Sequence, residues 1–208
     1  MLTMQVVILK HAWLFFGLAL LSDAKEERNW LNSSFEHMQQ VESYLKTINA
    51  IYYVYQGTKK TDPMKINEKE CKGCTFLCPY MRVRAQETTQ HGYKSTWVTR
   101  GYSRGFSVLQ DQYSLVIQKS DNYSTYNYFN VMVRDLLQTF LFNMYLVYED
   151  ETCALFYHWI SDASASCELW LKKKPERKTT VPKSLCFIMF DALCTKTGKY
   201  IYYDDRCL

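Results

Sequence analysis

FLCPYMRVRAQ, residues 76–86, alternates along its second half: Met81, Val83 and Ala85 fall on one side, Arg82 and Arg84 on the other. A period of two belongs to a β-strand with one face buried and the other wet. The sequence on both sides reads the same way. INAIYYVYQ, Ile48 to Gln56, is rich in β-branched and aromatic residues, which suit a pleated surface. Downstream, strands are predicted at Tyr93–Arg100, Phe106–Leu109, Tyr113–Gln118, Tyr126–Val133, Thr139–Tyr148, Ala154–Trp159 and Glu168–Leu171. Gly92, Gly101 and Ser120-Asp121-Asn122 punctuate them. The series amounts to about eight or nine strands at intervals of about 10–15 residues. No internal repeat, linker or alternation of helices with strands interrupts it. The prediction is an all-β fold, an eight-stranded up-and-down barrel, with a β-sandwich as the alternative. Such a barrel has an interior just wide enough for one small ligand.

Two helical patterns flank the strands. Phe35, Met38, Val41 and Leu45 recur at three, three and four, predicting one N-terminal helix over Asn32–Lys46 with Asn32 or Ser33 as its cap. Phe187, Phe190 and Cys194 repeat in the same way. They predict a C-terminal helix over about Pro182–Leu193, with Thr180 as a possible cap and Pro182 at its start. Tyr200-Ile201-Tyr202-Tyr203 reads as a last extended segment.

The N-terminus reads as an export signal. Ala12–Leu21 is an apolar core of signal-peptide length, Ser22-Asp23-Ala24 supplies small residues for cleavage, and Lys25-Glu26-Glu27-Arg28 follows. Residues 1–24 are therefore predicted to be removed, leaving 25–208 as one domain with no membrane segment. Asn32-Ser33-Ser34 and Asn122-Tyr123-Ser124 are sequons, so Asn32 and Asn122 are candidate glycosylation sites on an exported chain. The chain has 208 residues, 48% hydrophobic, and a formal charge of +4. That is enough apolar residue to bury a core and too mild a charge to argue for nucleic acid. The Lys172–Lys178 basic run reads as a solvated loop.

Eight cysteines, Cys71, Cys74, Cys78, Cys153, Cys167, Cys186, Cys194 and Cys207, lie after the signal. An even count in an exported chain reads as disulfides, whose pairing the sequence leaves open. The Cys71-x-x-Cys74 pair has no second cluster to complete a zinc site, so no metal and no cofactor are expected.

Cys153-Ala154-Leu155, Glu168-Leu169-Trp170, Val181-Pro182 and Cys186 together resemble the signature of the tick salivary histamine-binding lipocalins. Twelve residues separate Leu155 from Glu168, and fifteen separate Trp170 from Cys186. Both gaps are similar to the family's. Tyr52-Tyr53-Val54 ahead of Asp62-Pro63, and the ending from Cys194 through Tyr202-Tyr203 to Cys207, resemble it too. The resemblance implies a lipocalin barrel with a C-terminal helix packed outside. It implies a Cys153–Cys186 bridge, and a bridge from Cys207 to one of Cys71, Cys74 or Cys78, with Cys74 taken as the candidate. It also implies secretion in saliva and capture of a small host mediator. The family's acidic residue after the first cysteine is Ala154 here. An ammonium ligand needs a carboxylate to replace its hydration, so this departure shifts weight from amines toward apolar mediators.

Glu168 and Trp170 share a face of their strand. If Leu169 packs under the C-terminal helix, both point into the lumen, where a carboxylate beside an indole suits a small aromatic amine. The plainer reading is a solvated Glu168 and an ordinary core tryptophan. Tyr53 and Tyr55, with Tyr128 and Phe142, are candidate ligand-lining residues. Strand parity is open, and core or surface packing accounts for them equally well. Glu42, Glu87, Asp111, Asp135 and Asp150 are read as surface charges. His158 has no nucleophile or acid arranged around it in sequence, and no enzyme is expected. The function expected is sequestration, by a monomer, of histamine, serotonin or a lipid-like mediator. The alternative is a module that binds a host immune protein, such as a complement component, through its outer surface.

Overall fold

A computed structural model of the chain describes residues 28–65, 76–104, 107–159, 165–175, 184–194 and 198–207. The signal segment, Cys71, Cys74, Thr180 and Pro182 lie outside the described residues. The contact pattern divides the chain after Leu31, and Asn32–Leu208 carries the barrel. Its strands are β1 (Ile51–Gly57), β2 (Leu77–Thr88), β3 (Lys94–Arg104), β4 (Ser107–Gln118), β5 (Tyr128–Val133), β6 (Phe140–Glu149), β7 (Cys153–Trp159), β8 (Ser166–Leu171) and β9 (Tyr200–Ile201). Helix α1 is Val41–Tyr44 and α2 is Leu185–Cys194.

β2 to β8 pair in sequence, all antiparallel, and β1 lies between β8 and β2. The first eight strands therefore close into an up-and-down barrel with no free edge. Closure happens at a seam. β1 pairs with β2 only over Ile51–Tyr53; beyond that its partner is β9, through Gln56 and Gly57. The C-terminal tail fills the gap, where the Cys78 N–H donates to the Tyr202 carbonyl.

The three strands predicted between residues 93 and 118 are two. The predicted Phe106–Leu109, of which Phe106 lies outside the described residues, and Tyr113–Gln118 fall on one long strand from Ser107 to Gln118, because Gln110, Asp111 and Gln112 stay paired with Gly101, Arg100 and Thr99. The polar residues that look like a break in the sequence lie along the partly exposed stretch of the hairpin. The single N-terminal helix is also two pieces. A 3-10 turn over Ser33–Met38, capped by the Asn32 side chain on the Ser34 N–H, ends at Gln39, and α1 starts afresh at Val41. Val41 and Leu45 are buried while Phe35 is exposed. The break suits Gln39, whose amide donates to the Val147 carbonyl and whose Oε1 accepts from the Tyr123 hydroxyl.

Inward residues alternate around the wall and fill the core: Val54, Val83, Val98, Leu115, Val131 and Phe156 are each completely buried. The opposite parity of β7 and β8 faces α2. Leu155 and Leu169 are buried there, and disulfides Cys153–Cys186 and Cys167–Cys194 fasten the helix to both strands. A third disulfide, Cys78–Cys207, ties the tail to the seam. Cys207 therefore pairs with Cys78, not with Cys74. The seam brings β2 and the tail together at Cys78, four residues beyond the expected position.

Gly57 faces Glu168 across the β1–β8 pairing. A Cβ built there would lie 2.3 Å from the Tyr202 hydroxyl and 2.9 Å from the Cys167 carbonyl oxygen. The Tyr202 hydroxyl is itself fixed by donation to the Lys59 carbonyl. Gly57→Ala is expected to cost about 1–3 kcal/mol from overpacking. Urea denaturation checks this; an unchanged midpoint would mean that the tail yields without loss.

Candidate functional site

β8 carries the core of the site. Its alternation sends Cys167 and Leu169 toward α2 and leaves Ser166, Glu168 and Trp170 on the lumen side, facing His158, Phe156 and Ala154 of β7. Glu168 and Trp170 are both completely buried. Trp170 packs against Phe156 at 4.6 Å and Tyr44 at 6.5 Å between ring centroids. The aromatic ring of α1 thus meets those of the barrel wall.

An isolated buried carboxylate is expensive, and Glu168 is not isolated. Arg100, on the inward parity of β3 with Val98 and Tyr102, donates from Nη2 to Glu168 Oε1 at 2.6 Å and from Nη1 to Oε2 at 3.2 Å. The Trp170 indole N–H adds a third bond to Oε2 at 3.0 Å. Arg100 Nε donates to Asp62 Oδ1 at 2.9 Å. Asp62 follows β1 in a tight turn, where its Oδ1 also accepts the Met64 N–H at 3.0 Å. The result is a buried chain, Asp62–Arg100–Glu168–Trp170, built on the fork geometry that makes arginine suited to two carboxylates at once. Burial works against the Arg100 charge, but Asp62 and Glu168 outweigh it and hold the guanidinium pKa above its ordinary value. Burial pushes the Asp62 carboxyl up against the pull of Arg100, and the charge on Glu168 adds to the push.

His158 stands beside this chain. Its Nε2 is 3.7 Å from Glu168 Oε2, and its ring stacks on Phe142 with centroids 5.0 Å apart. The approach to Glu168 is not an ion pair. Burial first, then the Arg100 charge, lowers the His158 pKa to about 3 against a weaker opposing pull from Asp62. The folded imidazole is therefore neutral where an unfolded one would be protonated. Below an unfolded pKa near 6.5 the unfolded state binds the extra proton, so stability falls as pH falls until the folded pKa is reached. The loss is expected at about 1.4 kcal/mol per pH unit between about pH 6 and pH 4. Denaturant titrations of wild type and His158→Phe across that range isolate it. Equal slopes would contradict a neutral buried histidine.

Tyr53 and Tyr55 do not join the site. Tyr52 and Val54 have the inward parity, so Tyr53 turns out against Tyr203 and Tyr55 packs on Phe187 of α2. Tyr128 is also outside, stacked on Tyr145, whereas Phe142 lies in the core. The other acids are engaged elsewhere: Glu42 with Lys94, Glu87 with Arg134, Asp111 with Lys65, and Asp135 and Asp150 in turns. Asn32 and Asn122 are exposed, Asn122 in a turn with φ 64°. Sequence reasoning missed Arg100 and Asp62. Arg100 had a signal, because it shares parity with Val98 on a strand whose other inward residues are apolar or small.

Outside the barrel, a cleft of about 320 Å³ lies against β2–β4 under the β5–β6 loop, lined by Glu87, Ser95, Ser114 and Arg134 among others. The loop tip above it exposes Leu136 and Leu137 almost completely. Among the described residues no helix is long and apolar enough to cross a membrane.

The sequence profile of the tick histamine-binding proteins matches residues 30–208. The chain belongs to the tick histamine-binding protein family. Three solved structures show how far this family member stands from them in detail. The AM182 serotonin complex shares 13% identity and a TM-score of 0.49, covering 90% of this chain and 98% of that one. Japanin from Rhipicephalus appendiculatus bound to cholesterol gives 11% and 0.46, covering 76% and 95%. The cockroach allergen Per a 4 gives 10% and 0.41, covering 70% and 75%. No curated protein matches this family member.

Proposed function

We propose that this protein is a secreted salivary lipocalin that sequesters a small host mediator inside its barrel, and so blunts inflammation and immunity where the animal feeds. Export rests on the N-terminal signal pattern and on a disulfide-bonded domain, which fits an oxidising compartment. The observation that carries the reading is the buried Asp62–Arg100–Glu168–Trp170 chain on the lumen side of the barrel. Four polar side chains are held there in fixed orientation among apolar neighbours, the usual make-up of a small-molecule site. Capture needs no bond making, no cofactor and no metal. Biogenic amines such as histamine and serotonin, and lipid-like mediators, are the two candidate classes.

The test is a calorimetric titration of histamine, serotonin, arachidonic acid and cholesterol into the oxidised protein at neutral pH. At least one is expected to saturate a single site and to weaken about tenfold in Trp170→Phe, a loss of about 1.4 kcal/mol. No heat from any of the four, with the protein folded, would contradict sequestration.

A second reading has an observation of its own. Leu136 and Leu137 stand exposed on the β5–β6 loop, with Phe140 exposed at the start of β6, and exposed apolar groups close together mark surfaces that meet other proteins. A host immune protein, such as a complement component, would dock there. Leu136→Ser with Leu137→Ser would abolish that contact and leave lumen binding intact.

A further inference from the structure

Resting on the reading of the lumen as a ligand site, we propose that the ligand docks its polar end between His158 and Ser166, and that this end is an uncharged hydroxyl group. His158 and Ser166 face each other across the β7–β8 ladder on the lumen side. His158 is completely buried and Ser166 nearly so, at 4% exposure. Both ring nitrogens of His158 and the Ser166 hydroxyl have no hydrogen-bond partner among the described residues. A buried polar atom left unpaired costs about 1–3 kcal/mol, and native proteins tolerate few of them. Three such atoms in one cross-strand pair, two rungs from the Glu168 pair, call for an occupant that both donates and accepts.

The chemistry of that occupant follows from its neighbours. A neutral imidazole offers one N–H donor and one bare nitrogen, and serine offers both functions on one oxygen. A hydroxyl matches them, giving a proton to one and taking a proton from the other. An ammonium brings only donors, so it accepts nothing from the imidazole N–H or the serine hydroxyl, and its charge would have to share Glu168, whose Oε2 lies 3.7 Å from His158 Nε2. The oxygens of Glu168, the nearest acid, already accept three hydrogen bonds from Arg100 and Trp170. The Arg100 charge, which disfavours a proton on His158 against a weaker pull from Asp62, also disfavours a second cation in the same place. Ala154 supplies no carboxylate of its own on this face of β7.

Matched probes separate the two chemistries: serotonin against 5-hydroxytryptophol, and histamine against 4-(2-hydroxyethyl)imidazole. Each pair shares a ring system and differs in ending with an ammonium or a hydroxyl. Calorimetry on the oxidised wild-type protein at neutral pH is expected to show at least one alcohol binding about tenfold or more tighter than its amine. Ser166→Ala and His158→Phe are each expected to weaken that alcohol about tenfold and to leave the far weaker amine unchanged. Ser166→Ala removes one oxygen atom and keeps the test intact where the histidine variant fails to fold. Tighter binding of the amine would overturn the proposal and leave sequestration standing. Binding of neither member of both pairs would also overturn it. Sequestration would fall with it only if arachidonic acid and cholesterol were silent too.

Discussion

Arg100→Met is expected to cost about 3–5 kcal/mol of stability, because it strands two carboxylates in the barrel with no counter-charge. Asp62 and Glu168 are both buried, and each accepts hydrogen bonds from the same guanidinium, the only positive charge the network holds. In a protein of this size such a loss lowers Tm by about 10 °C. The penalty belongs to the orphaned acids more than to the lost pair, since a buried ion pair replaced as a unit by neutral groups is often near neutral in stability. Adding Asp62→Asn and Glu168→Gln to Arg100→Met is therefore expected to restore most of the loss. Thermal unfolding of the single and triple variants checks both statements. A single variant within about 1 kcal/mol of wild type would mean that water reaches the acids, and that the network is not sealed inside the wall.

Removing the Cys78–Cys207 disulfide by the double serine variant is expected to cost about 4–5 kcal/mol. The bridged residues are 129 apart in sequence, and closing a loop of that order restricts the unfolded chain by about that much on the chain-entropy model. The Cys153–Cys186 and Cys167–Cys194 bridges lie within this loop and shorten it, but the dependence is logarithmic. The folded state loses something as well. β9 holds the seam through only Tyr200 and Ile201, and without the bridge its end is free to lift from β1. Denaturant unfolding gives the equilibrium loss, and hydrogen exchange at Gln56 and Tyr202 reports the lifting. Full protection of those amides in the variant would show that the ladder alone closes the barrel.

Much of the barrel was legible because its signals are local. The alternation of Met81 and Val83 with Arg82 and Arg84, and the aromatic runs on β1 and β6, announce strands without reference to anything distant. The spacing of Glu168 and Trp170 places them on one face for the same reason. The failures share a cause: each depended on which residues meet across the sheet. Tyr53 and Tyr55 sit in a convincing strand, but only the pairing of β1 with β8 decides that Tyr52 and Val54 face inward instead. Gln110-Asp111-Gln112 looks like a loop until β3 is laid beside it. Gln39 breaks the N-terminal helix because of a carbonyl on β6, more than one hundred residues away. Cys78 wins Cys207 because β2 and the tail meet at a seam that exists only in the closed barrel. Arg100 is the instructive case: its parity was readable, but its two acids come from the turn after β1 and from β8.

The most direct measurement is a crystal structure of the oxidised protein with the tightest-binding member of the titrated set. Electron density for the ligand within the barrel, in contact with His158 or Trp170 and enclosed by the inward faces of β7 and β8, is the expected result. A ligand seated in the outer cleft beneath Leu136 and Leu137, with the barrel core unchanged and dry, would contradict capture in the lumen.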